Sequence, residues 1–157
     1  GNHDKESEEV LDMTTRDLAE CGVQLLVDEA RDVSLPGGGR VSILGLDYRF
    51  FGDPLRTPKI IEVCNAHPAP AGTPRVVMLH DPGGFHSVPP AEGTLILSGH
   101  THGGQVGLLS LGMDWTVIHQ VARIPDHGLW RLGCNLLYVH RGQGCRFMLG
   151  NFLVRLG

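Results

Sequence analysis

Two short apolar runs, each emptying into a polar turn that holds histidine, constrain this chain more than any other feature. Arg75-Val-Val-Met-Leu79 leads straight into His80-Asp81-Pro82, and Thr94-Leu-Ile-Leu97 leads into Ser98-Gly-His-Thr-His102-Gly-Gly104. Continuous apolar runs of this length are the pattern of strands covered on both faces, which places them inside an α/β sheet. Ligands of open α/β sheets gather beyond the carboxyl ends of strands. His80, His100 and His102 are therefore expected to meet in space.

The rest of the chain fits around that pair. Glu6, Glu8 and Glu9 open a stretch in which Val10, Leu11, Thr14, Leu18 and Cys21 recur at helical spacing, and Gly22 follows as a cap. The spacing predicts an amphipathic helix over 6–21. A strand is expected at 23–27, a Pro-Gly turn at 35–40 and a strand at 41–46, the two strands making a hairpin. Thr57-Pro58 opens a second helix carrying Ile60, Ile61, Val63 and Cys64, which His67-Pro68 ends. Trp115, Val117, His119 and Val121 alternate as in a strand, and 136–139 and 146–149 read as further strands.

Composition excludes several classes. The chain has 157 residues, 41% of them apolar and 19% charged, which describes one globular domain rather than a coiled coil or a disordered tail. A net charge of −4, with 13 scattered Lys and Arg, leaves no nucleic-acid footprint. No apolar run approaches the roughly 18 to 20 residues of a membrane span. Cys21, Cys64, Cys134 and Cys145 form no C-x-x-C pair and read as ordinary, mostly buried thiols, a weak pointer to an intracellular setting.

Nine histidines are many for this length, and the strand-end trio carries the chemistry. In extended backbone, His100 and His102 point to one side with Cα atoms roughly 6.5 to 7 Å apart. They can converge on one cation or serve two neighbouring ones. Gly99, Gly103 and Gly104 leave room for a bound oxyanion. Gly1-Asn2-His3-Asp4 adds an amide oxygen from Asn2, which binds a cation without cancelling its charge. It also adds His3, which Asp4 could hold in its protonated form as a general acid. The remaining histidines (His67, His86, His119, His127 and His140) read as surface or satisfied core residues.

In this order, Gly1-Asn2-His3-Asp4, Leu79-His80-Asp81-Pro82 and Ser98-Gly99-His100-Thr101-His102-Gly103-Gly104-Gln105 resemble the calcineurin-like metallophosphoesterase superfamily. The Gly-Gly-Gln extension, with Tyr138-Val139-His140-Arg141-Gly142-Gln143-Gly144, looks like its branch of small bacterial-type and plastid-type phosphodiesterases. The resemblance implies a four-layer α/β/β/α sandwich of mixed sheets. It implies a phosphoric ester hydrolase with two divalent transition metal ions (Mn, Fe or Zn) that bridge and activate a hydroxide. Asn2, His80 and His100 become ligands of one metal, His102 a ligand of its neighbour, and His3, supported by Asp4, the acid or phosphate-contacting group. The substrate is a phosphate ester, with 81–93 and 107–114 as specificity loops and Phe85, His86 and Trp115 as their large groups.

The family's D-x-H and G-D-x-x-D motifs are not found in the sequence. Residues 1–157 are therefore expected to be a single, incomplete C-terminal portion of the domain, lacking N-terminal strands and leaving a sheet edge uncovered. Full activity is expected of an upstream-extended form. The alternatives are a catalytically inactive phosphoesterase-like scaffold that binds a partner protein, and a mononuclear zinc hydrolase using His80, His100 and His102.

Overall fold

The computed structural model describes residues 1–91, 93–104, 107 and 113–142. Among the described residues six strands form one mixed sheet: β1 (Glu29–Ser34), β2 (Arg40–Leu46), β3 (Arg75–Leu79), β4 (Thr94–Ser98), β5 (Gly128–Leu132) and β6 (Asn135–Val139). Their order is β1-β2-β3-β4-β6-β5. The central strands β2, β3, β4 and β6 run parallel, and the outer strands β1 and β5 are antiparallel to their neighbours. The α/β expectation holds, and both apolar runs are adjacent central strands.

The expected first helix is α1 (Glu8–Glu20), shorter at both ends than 6–21 because Ser7 is its cap and accepts from Val10 N–H. Gly22 follows with a φ of 71°, the left-handed turn that ends helices. The second helix is α2 (Arg56–Ala66), whose buried Ile60, Val63 and Cys64 cover one face of the sheet. With Leu44, Val77, Leu79, Phe85, Val88, Ile96, Leu137 and Val139 they make the core.

Three expectations are corrected. Residues 23–27 form no strand, and the hairpin partner of β2 is β1, with Ser34 opposite Arg40 across a turn whose Gly37, Gly38 and Gly39 all take positive φ. The 23–26 segment passes close to β2 without forming a ladder with it. A Cβ on Gly45 would lie 2.4 Å from the Leu26 carbonyl oxygen. The alternating stretch after Trp115 is partly helical, as α3 (Val117–Ala122), because the Thr116 hydroxyl accepts the His119 amide and starts a helix. The expected strand at 146–149 lies outside the described residues.

The third correction concerns the sheet. Among the described residues, β3 and β4 are covered on one face only. Across the strands Gly45, Met78, Leu97, Tyr138 and Leu129 stand in register on the other face. Met78 is 52% exposed, Tyr138 44% and Leu97 39%. Apolar alternation therefore came from two apolar faces of which only one is packed. Cys64 is buried as expected, but Cys21 and Cys134 are exposed. No helix among the described residues is long and apolar enough to cross a membrane.

Candidate metal centre

β3 and β4 are parallel neighbours, so the turns after them leave the sheet side by side. The His80 carbonyl accepts the Gly99 amide at 3.0 Å, which locks one turn to the other. His100 Nδ1 then stands 3.2 Å from His80 Nε2. The backbone at His100 is left-handed (φ 66°), an uncommon conformation for a side-chain-bearing residue.

Asn2 reaches the same point from the other end of the sequence. His80 Nε2 donates to Asn2 Oδ1 at 2.8 Å. Residues 1–5 form a short turn that Lys5 pins to the end of β2 through Asp47, at 2.6 Å. Gly1 lies flat on the His80 ring: a Cβ there would be 2.6 Å from His80 Cε1. The glycine is thus a steric requirement of the approach, a role that spacing alone does not disclose.

Asn2 Oδ1 and His100 Nδ1 thus both touch His80 Nε2, at 2.8 and 3.2 Å. Donor atoms bound at about 2.1 Å around a divalent ion are themselves about 3.0 Å apart in an octahedron and about 3.4 Å in a tetrahedron. The two separations at His80 Nε2 are in that range, and imidazole nitrogen and amide oxygen are donor types that a borderline divalent cation accepts. Among the described residues no group of three His, Cys, Asp or Glu side chains is placed to hold a metal ion.

Electrostatics keep the imidazoles neutral. Burial first, with His100 adding, lowers the His80 pKa, against a pull from Asp81 and Asp4. His100 is lowered as well, by burial first, with Asp81 opposing and His102, His3 and Arg56 adding to the fall. Neutral imidazole is the form that ligates metal.

The other expected site residues are placed differently. His102 is also left-handed (φ 53°), and its ring lies beside the backbone of Gly142. His3 Nε2 accepts from the Asn2 amide nitrogen at 3.2 Å, so Asn2 is used from both ends. The carboxylate against His3 Nδ1 is that of Glu6, at 2.5 Å. Asp4 instead meets the Gly1 amine. The expected support of His3 by Asp4 is thus replaced by Glu6, because one turn of 3-10 helix brings residue i+3 back onto residue i. Phe85, expected in a specificity loop, is 2% exposed and belongs to the core. Gln105 and most of the 107–114 loop lie outside the described residues.

Two further groups frame the histidines: Tyr48, which had no prior signal in the sequence, and Asp81 of the His80-Asp81-Pro82 turn. Tyr48 packs edge-on against His80 and tilted against His100, with centroids 5.8 and 5.9 Å away. Burial, then the charge of Asp81, raise its pKa, so the phenol stays a donor. Asp81 is buried against Arg56, Oδ2 to Nη2 3.0 Å, and its other oxygen accepts the Gly83 amide. A cleft of about 430 Å³ beside His80 opens onto the uncovered sheet face, lined by Val23, Leu25, Met78 and Leu97.

Comparison with known proteins finds similarity to the uncharacterized metallophosphoesterase YkuE of Bacillus subtilis (strain 168), 26% identical over 123 residues. The match takes in 78% of this chain and spans 40% of the length of that relative. No family model matches, and no solved structure matches. The similarity supports the resemblance at the level of the metallophosphoesterase superfamily.

Proposed function

We propose that this chain carries the metal-binding end of a metal-dependent phosphoesterase of the calcineurin-like, small phosphodiesterase type. The observation that carries the reading is the meeting of Asn2, His80 and His100, which are 78 and 20 residues apart in sequence. Nothing in the packing of a plain α/β domain calls for two neutral imidazoles and an amide oxygen at one strand-end crevice. An inactive scaffold has no use for that donor set, and a zinc site built on His80, His100 and His102 leaves Asn2 unexplained.

In this reading Asn2, His80 and His100 hold one divalent cation, and His102 belongs to a second. Bound there, such ions neutralise phosphate oxygens and lower the pKa of a nucleophilic water. That local positive charge lets a chain of net charge −4 receive an anionic ester. His3, at the rim and oriented by Glu6, is the proton donor to the leaving alkoxide or a phosphate contact. Tyr48 shields both imidazoles on one side, and its phenol offers a hydrogen bond to the ester. The uncovered apolar face supports the four-layer arrangement, in which a further sheet packs on Met78, Leu97 and Tyr138.

A chromogenic phosphodiester, assayed with and without Mn²⁺ on a form extended upstream of Gly1, tests the reading. Mn²⁺-dependent turnover that falls about a hundredfold or more in His100→Ala is the expected result, since loss of a ligand should cost at least what loss of a residue behind a ligand does. Turnover that survives His100→Ala, or that ignores Mn²⁺, contradicts it.

A further inference from the structure

Behind the loop that carries His100 and His102 stands a polar cluster that the chemistry above does not use. Asp126 is fully buried. Its Oδ1 accepts from His127 Nδ1 at 2.8 Å, and its Oδ2 accepts the hydroxyl of Thr116, itself fully buried. The Asp126 backbone carbonyl accepts the Thr101 hydroxyl at 2.7 Å. Thr101 is the residue between the two histidines. On its far side His127 Nε2 lies 3.6 Å from Asp114.

The loop held this way is strained. His100, His102, Gly103 and Gly104 have φ of 66°, 53°, 71° and 75°. Two left-handed histidines within three residues persist only where their surroundings over-determine them. Gly104 fits flat against the cluster, since a Cβ there would lie 2.6 Å from both Asp126 Oδ2 and Thr116 Cβ. Thr116 in turn caps α3 and pairs through its backbone with Gly107. The loop is therefore held at Thr101 by the Asp126 backbone carbonyl and at Gly104 by packing on the Asp126 carboxylate, which His127 and Thr116 hold in place.

We propose that Asp126, acting through Thr101 and Thr116, is a positioning residue that aims His100 at His80 and Asn2 and so sets the cation affinity of the site. The inference rests on the metal reading proposed above. Asp126 suits the task because both of its carboxyl oxygens are engaged, one by His127 Nδ1 and one by the Thr116 hydroxyl, so its position is fixed. A carboxylate behind metal-ligating histidines typically matters 10- to 100-fold in affinity.

The test uses the full chain and four variants: Thr101→Val, Asp126→Asn, Asp126→Ala and Leu137→Val. The last loses core packing in the middle of β6, away from the Asp126 cluster's own hydrogen bonds, and controls for stability alone. Mn²⁺ affinity is measured by calorimetry well below each melting temperature, and the imidazole ¹H–¹⁵N signals of His80 and His100 are recorded without metal. Thr101→Val and Asp126→Asn are expected to weaken Mn²⁺ binding by about 10- to 100-fold and to shift the His100 ring signals, while Leu137→Val moves neither. Asp126→Ala should go further in both readouts. Parent-like affinity and parent-like ring signals in Thr101→Val and Asp126→Asn overturn the proposal, as does an equal loss in Leu137→Val. A parent chain that binds no Mn²⁺ overturns the metal reading and the affinity claim together. The metal-free ring signals still decide whether Asp126 holds His100, so the two failures are distinguishable.

Discussion

Three donors hold the Asp28 carboxylate: the Asp47 amide and two nitrogens of Arg49. Burial alone pushes this carboxyl upward, but the Arg49 hydrogen bonds, the Asp47 amide and the Arg49 charge outweigh it, and its pKa falls below the ordinary 3.8. A carboxyl depressed by folding adds stability above its unfolded pKa and loses it as pH drops through the folded value. Urea unfolding between about pH 6 and pH 2 should show a parent chain that weakens below pH 3.8 more steeply than Asp28→Asn. Parallel curves would contradict this. At this scale the sequence disclosed residue types at strand ends, which is why His80 and His100 were legible. The contacts of Gly1, Tyr48 and Asp126 were not, because each depends on atoms brought from distant parts of the chain. The partner of His3 was misread for a local reason: both Asp4 and Glu6 are within reach in sequence, and only the turn geometry chooses Glu6.

At the scale of elements, one sheet has two apolar faces with different duties. Ile96 is fully buried in the core, whereas Leu97, its neighbour in β4, is 39% exposed on the open face. Ile96→Ala should cost about 2–5 kcal/mol, as for other large-to-small core changes. Leu97→Ser should stay within about 0.5 kcal/mol and should reduce binding of an apolar dye. Similar losses from both would mean the open face is packed after all. Gly45→Ala, whose Cβ meets the Leu26 carbonyl at 2.4 Å, should cost about 1–3 kcal/mol in thermal or urea unfolding. The central strands and both longer helices could be read from periodicity and caps. β1 and β5 could not, since outer strands carry mixed polar residues such as Arg31, Asp32 and Arg131 and show no clean alternation. The covered-on-both-faces reading failed because an apolar pattern records what a face can bury, not what lies upon it.

For the whole molecule, the account comes down to topology doing chemical work. A parallel β3–β4 pair sets two histidine turns side by side, and residues 1–5 fold back over the end of β2 to add Asn2. The order of motifs along the chain made that convergence foreseeable, because strand ends in a parallel sheet share one rim. The most direct measurement is electron spin echo spectroscopy of the full chain loaded with less than one equivalent of Mn²⁺. The account predicts modulation from two imidazole nitrogens, falling to one in either His80→Ala or His100→Ala. A Mn²⁺ signal with no nitrogen coupling, or one that both substitutions leave unchanged, would contradict it.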